Sequence, residues 1–120
     1  MSGFVDDQLR ALLRAPVSAS RGGERTDLLA WIDTAFNGGL TIPRKRVAEL
    51  GLAKQSSAEA ILADGRTVEL EMFACFLDWF GKIYETQVAA SNGECPLLGT
   101  MLLDGRRLHI NYAAKTVELT

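Results

Sequence analysis

Histidine is almost absent from this sequence, with His109 the single one among 120 residues. Cysteine is nearly as scarce, and Cys75 and Cys95 do not stand at a metal-ligand spacing. So few soft ligands argue against a zinc enzyme, and no metal and no cofactor is expected. The same shortage counts against serine and cysteine peptidases, because His109 has no Gly-x-Ser-x-Gly or cysteine signature near it. His109 lies in an apolar alternation and reads as a strand residue. Basic clusters are missing beyond Arg44-Lys45-Arg46, and the net charge is −2. That balance argues against a nucleic-acid partner. No apolar run approaches the length of a membrane span. The first residues, Met-Ser-Gly-Phe-Val-Asp-Asp, lack the basic region and apolar core of a signal peptide. The two cysteines therefore read as reduced thiols, and the expected location is cytoplasmic.

What is present is an ordinary globular composition, 48% apolar and 23% charged. The length fits a single domain, 1–120, close to the size at which association of copies helps stability. The chain is organised around Leu28 to Pro43. An apolar run, Leu28-Leu29-Ala30-Trp31-Ile32, carries Asp33 out of a buried strand, Asp-Thr-Ala-Phe-Asn-Gly-Gly turns the chain, and Leu-Thr-Ile-Pro resumes an extended pattern. By itself an Asp-Thr pair at a strand end is a turn former. A carboxylate leaving a buried strand also needs a partner or a task, since burying it unpaired is costly.

Residues 6 to 14 admit two readings. Leu9, Leu12 and Leu13 have helical spacing, but Pro16 and the extended Val17-Ser18-Ala19-Ser20 favour a hairpin: Phe4-Val5, a turn at Asp6-Asp7-Gln8, then a strand from Arg10 to Ser20. Gly22-Gly23-Glu24 marks a turn before a strand from Thr26 to Ile32. Arg44 to Leu50 predicts a short helix with Val47 and Leu50 on one face and Gly51 at its C-terminus. Ala58 to Leu62 and Thr67 to Met72 flank a hairpin turn at Ala63-Asp64-Gly65-Arg66. Asp78 to Lys82 predicts a second turn, and Ile83 to Ala90 returns. Cys95 to Gly99 reads as a short buried strand, after which Thr100 would cap a helix over Met101 to Leu103. Leu108, Ile110 and Tyr112 alternate in one strand and Thr116 to Leu119 makes the last. Many short strands, tight turns and one or two short helices predict an all-β barrel or sandwich.

With Asp33-Thr34-Ala35 and Leu97-Leu98-Gly99 placed, the chain resembles the retropepsin-like aspartic proteases, in particular the small bacterial single-domain members. Trp31-Ile32-Asp33-Thr34-Ala35-Phe36-Asn37-Gly38 looks like the family's active-site signature. Leu97-Leu98-Gly99 is similar to its second signature, two apolar residues and a glycine ahead of a short helix. The Ala63-Asp64-Gly65-Arg66 hairpin lies between them, where the family places its substrate-covering flap. The resemblance runs from about Arg10 to Leu119 and implies a small closed barrel of the acid-protease type. One residue departs from the pattern. The family's commonest third residue is glycine, and here it is Ala35, which would be strained if the position demands a positive backbone angle.

The resemblance implies an aspartic endopeptidase. Two carboxylates are needed, one to activate water and one to donate a proton, and this chain supplies one. A two-fold homodimer with Asp33 from each subunit at the axis is therefore expected, acting on a peptide or protein substrate. Thr34 would hydrogen-bond across the dimer, Ala35 would offer backbone near the substrate, and Ala63, Asp64 and Gly65 would form the flap. Leu97 and Leu98, with Gly99, would pack behind the catalytic loop. Trp31, Phe36, Trp79 and Phe80 read as core or interface aromatics. The sequence leaves two alternatives open: a catalytically inactive dimeric barrel, and a small β-barrel interaction module.

Overall fold

The computed structural model describes all of residues 1–120. Ten strands run in the order β1 (Ser2–Val5), β2 (Ala11–Ser18), β3 (Thr26–Ile32), β4 (Leu40–Pro43), β5 (Lys54–Ile61), β6 (Thr67–Trp79), β7 (Lys82–Ser91), β8 (Leu97–Leu98), β9 (Leu108–Asn111) and β10 (Thr116–Leu119). One α-helix, α1 (Arg44–Leu50), follows β4, and a 3-10 turn covers Thr100–Leu102. Neighbours in the sheet follow the order β5-β6-β7-β4-β8-β3-β2-β1-β10-β9, and β6 also pairs with β2. That extra pairing closes a six-strand barrel from β6, β7, β4, β8, β3 and β2. The expected all-β closed barrel is what the chain forms. No helix is long and apolar enough to cross a membrane.

Alternation explains most of the strands. In β3, Leu28, Ala30 and Ile32 point into the core while Leu29 and Trp31 face outward. In β10, Val117 and Leu119 are fully buried between exposed Thr116 and Glu118. The core gathers Leu13, Val17, Leu28, Ile42, Leu77, Val88 and Leu98 from the barrel wall, and Val47 seals it from α1. Helix α1 has the expected bounds. It starts after Pro43 and ends where Gly51, at φ 68°, turns its N–H back to the carbonyls of Val47 and Ala48.

The N-terminal hairpin forms, with its second strand shortened from the expected Arg10–Ser20 to Ala11–Ser18, beyond which the Ser18 hydroxyl donates to the Ser20 carbonyl at 2.7 Å and the chain bends. Asp6 builds its turn by accepting the amides of Gln8 and Arg10 on one oxygen, at 3.0 and 2.9 Å, and the Arg10 guanidinium on the other at 2.8 Å. Strand β1 then lies between β2 and β10 of its own chain, and the Met1 amine donates to the Leu119 carbonyl at 2.8 Å.

Five local expectations need correction. The short strand expected over Cys95 to Gly99 shrinks to Leu97–Leu98, the two residues that pair with both β3 and β4. The turn expected over Asp78 to Lys82 shrinks to Phe80-Gly81, because β6 and β7 stay paired as far as Trp79 and Lys82. Phe80 accepts a positive φ of 52° there, with its ring 5.5 Å from Trp79 and the Arg106 guanidinium 3.5 Å above it. Thr100 does not cap a helix over Met101 to Leu103. It is the first residue of the 3-10 turn, Gly99 holds the cap position, and no side chain caps it. Strand β9 stops at Asn111, whose Oδ1 accepts the amides of Ala113 and Ala114 and bends Tyr112 into a turn. Strand β5 begins at Lys54, four residues before the expected Ala58.

Candidate active site

Asp33 is the first residue after β3, and three strands fix it. Strand β8 inserts between β3, which it meets in parallel through Trp31↔Leu97 and Ile32↔Leu98, and β4, which it meets antiparallel through Leu40↔Leu98 and Thr41↔Leu97. The Asp33 amide continues that ladder by donating to the Leu98 carbonyl at 2.9 Å. The two signature stretches read from the sequence therefore lie side by side. Leu98 is fully buried behind the loop, Leu97 is half-buried, and Gly99 is buried.

The loop from Asp33 to Gly39 is held by backbone. The Asp33 carbonyl accepts the Phe36 amide at 3.2 Å, and Asp33 Oδ1 accepts the Ala35 amide at 3.0 Å. Carbonyls of Phe36, Gly38 and Gly39 accept the amides of Thr100, Met101 and Gly99 at 2.8, 3.1 and 2.7 Å. The 3-10 turn thus plugs into the loop through three consecutive amides. Within the loop, the Phe36 ring folds back over Gly38, where a Cβ would meet it at 2.5 Å.

The Asp33 carboxylate is half-buried and has no cation within ion-pair distance. It opens with exposed Thr34 and Ala35 onto a depression of about 390 Å³ whose remaining walls are Trp31, Ile32 and Leu97. Ala35 is not among the residues at positive φ, so glycine's conformational freedom is not needed there. No group of three or more His, Cys, Asp or Glu side chains is placed to hold a metal ion.

Ala63, Asp64 and Gly65 occupy the exposed tip of the β5–β6 hairpin, and none of them lines the depression that holds Asp33. Gly65 takes φ 86°, as an Asp-Gly turn requires. Asp64 accepts the Arg66 amide at 3.0 Å and the Arg66 guanidinium at 2.6 Å. These bonds, the amide first, hold its carboxyl below the ordinary value.

Of the aromatics, only Trp79 is a core residue, donating its Nε1–H to the Leu102 carbonyl at 3.2 Å. Trp31 is 40% exposed and forms a wall of the depression. The sequence reading passed over Thr41, whose hydroxyl accepts the Leu97 amide at 3.3 Å and pins β8 in place. A hydroxyl in a four-residue strand carries no local sign of that task. Both cysteines are free thiols, and burial pushes Cys75 up to about 11.

No family model matches the chain, and no curated protein matches it. Among solved structures it is similar to the protease of simian foamy virus, at 17% identity and a TM-score of 0.53, covering 77% of this chain and 90% of that one. It is also similar to a retropepsin-like aspartic protease from Rickettsia conorii, at 15% identity and a TM-score of 0.59, covering 99% of this chain and 88% of that one. This chain has the small closed-barrel fold of the retropepsin-like aspartic proteases.

Proposed function

We propose that this chain is an aspartic endopeptidase, active as a homodimer in which Asp33 of each subunit forms half of the catalytic dyad. The observation that carries this reading is Asp33-Thr34-Ala35 at the mouth of an open depression, bonded through Asp33 to Leu98, within a fold shared with two proteases. A lone carboxylate cannot act as base and acid in one step. Two of them a few ångströms apart share a proton, because ionising both is unfavourable. The ionised one activates water for attack on the scissile carbonyl, and the protonated one donates to its oxygen. Thr34 is exposed beside Asp33, and in this reading its hydroxyl hydrogen-bonds to the second subunit. Ala35 offers backbone to an extended substrate, and the hairpin carrying Ala63, Asp64 and Gly65 closes over it. The 120 residues form one domain, and the free thiols suit a reducing, cytoplasmic setting.

A peptide bearing a statine-type hydroxyl tests this without a known substrate, since a shaped dyad binds such a transition-state mimic tightly. Calorimetry should show saturable binding to wild type, one inhibitor per dimer, and none to Asp33→Asn. Sedimentation should show a dimer. A folded dimer that ignores the inhibitor would favour an inactive barrel, and a stable monomer would favour an interaction module.

A further inference from the structure

The β5–β6 hairpin leaves the barrel at Met72, the last residue of β6 that pairs with β7. Beyond it, Thr67 to Glu71 pair with β5 alone. A two-stranded ribbon of this kind is marginal in water without support. Its upper part weakens it further, because Glu59 stands directly opposite Glu69 with no cation within ion-pair distance of either. Support is concentrated at the root. Glu71 accepts the Arg44 guanidinium, from the first residue of α1, on one oxygen. Its other oxygen takes the Lys54 ammonium, from the first residue of β5, at 3.2 Å. Gln55, at the irregularity in the ladder between Lys54 and Ser56, accepts the side-chain amide of Gln87 on β7 at 2.9 Å. An irregularity of this kind is where a strand bends.

We propose that the Arg44–Glu71–Lys54 triad, with the Gln55–Gln87 bond, is a latch that sets the angle of the hairpin over the site, and that Glu71 is its positioning residue. This rests on reading the hairpin as the substrate cover. All three charged side chains are a third or more exposed, so the latch is weak and screened by salt. A cover that must open for each substrate needs a restraint of that kind. Glu71 lies below the ordinary carboxylate value, through the bond from Lys54 first and that from Arg44 second, so the latch stays charged in mild acid.

Per-residue amide exchange by NMR tests the latch whether or not the chain cleaves anything. In Glu71→Gln, protection of residues 56–70 should fall about threefold, while β2, β3 and β7 and the thermal midpoint stay as in wild type. Wild type in about 1 M NaCl should show the same loss, and Glu71→Asp, which keeps the charge, should recover part of it. With a cleavable peptide, Glu71→Gln should raise KM about threefold and leave kcat within about twofold. Unchanged ribbon protection in both Glu71→Gln and high salt would overturn the latch, as would a loss spread evenly over the barrel or a fall in kcat at constant KM. Absence of cleavage would count against the reading of the site alone, because the exchange result decides the latch.

Discussion

A Cβ at Gly99 would lie 2.2 Å from the carbonyl oxygen of Gly38 and 2.7 Å from that of Phe36. The second signature's glycine is therefore a packing requirement: it lets the 3-10 turn donate its amides into the Asp33 loop. Gly99→Ala should push that loop away and destabilise the chain by about 2–3 kcal/mol. Gly39 is the control, with nothing within 4 Å of its Cβ position and no positive φ. Gly39→Ala should be neutral or stabilise by up to about 1 kcal/mol. Urea unfolding of both variants measures this, and equal effects would contradict it.

Ala35→Gly should leave any cleavage within about twofold of wild type and lower stability slightly, since Ala35 carries no backbone strain to relieve. Steady-state kinetics on one peptide checks it. A large gain in kcat would show that the methyl group obstructs the substrate.

Asp6 should contribute to acid sensitivity. The Arg10 amide, and then the Arg10 side chain and the Gln8 amide, hold its carboxyl below the ordinary 3.8. A carboxyl lowered by folding stabilises the native state above its unfolded value, and that contribution is lost as pH falls through the folded value. Wild type should therefore exceed Asp6→Asn in urea midpoint at about pH 6, and the gap should close as pH falls below 3.8 through the lowered folded value. A gap that persists unchanged in acid would assign the effect to shape rather than charge.

Cys75 is fully buried on β6 with its thiol raised to about 11, whereas Cys95 is half-buried near the Leu29 carbonyl. A thiol reagent at neutral pH should modify one cysteine in the native protein and two after denaturation. Mass mapping should place the native label on Cys95. Rapid native labelling of Cys75 would contradict its burial.

Elements whose apolar pattern and turn chemistry agree were legible. Thr26–Ile32, Arg44–Leu50 and Thr116–Leu119 have the same bounds in sequence and structure, because each combines a one-sided apolar pattern with a turn or cap signal. Asp33 beside Leu98 was legible through the ordered pair of motifs. Phe80-Gly81 was not, since a phenylalanine at positive φ is held by Trp79 and Arg106, and Arg106 comes from a distant segment. Thr100 has a capping residue's chemistry, but the amides its side chain would have capped, those of Leu102 and Leu103, donate instead to the backbone carbonyls of Gly99 and Thr100. The Arg44–Glu71–Lys54 triad left no mark in the sequence, because only the closed barrel brings helix, ribbon root and β5 together.

The central claim is that Asp33 performs peptide hydrolysis, and cleavage of a denatured-protein peptide mixture tests it most directly. Wild type and Asp33→Asn would be compared between about pH 3 and 7, a substitution that keeps size and removes the exchangeable charge. Cuts made by wild type, greatest on the acid side and absent in Asp33→Asn, are the predicted result. Equal cutting by both proteins, or none from a folded wild-type dimer, would contradict it.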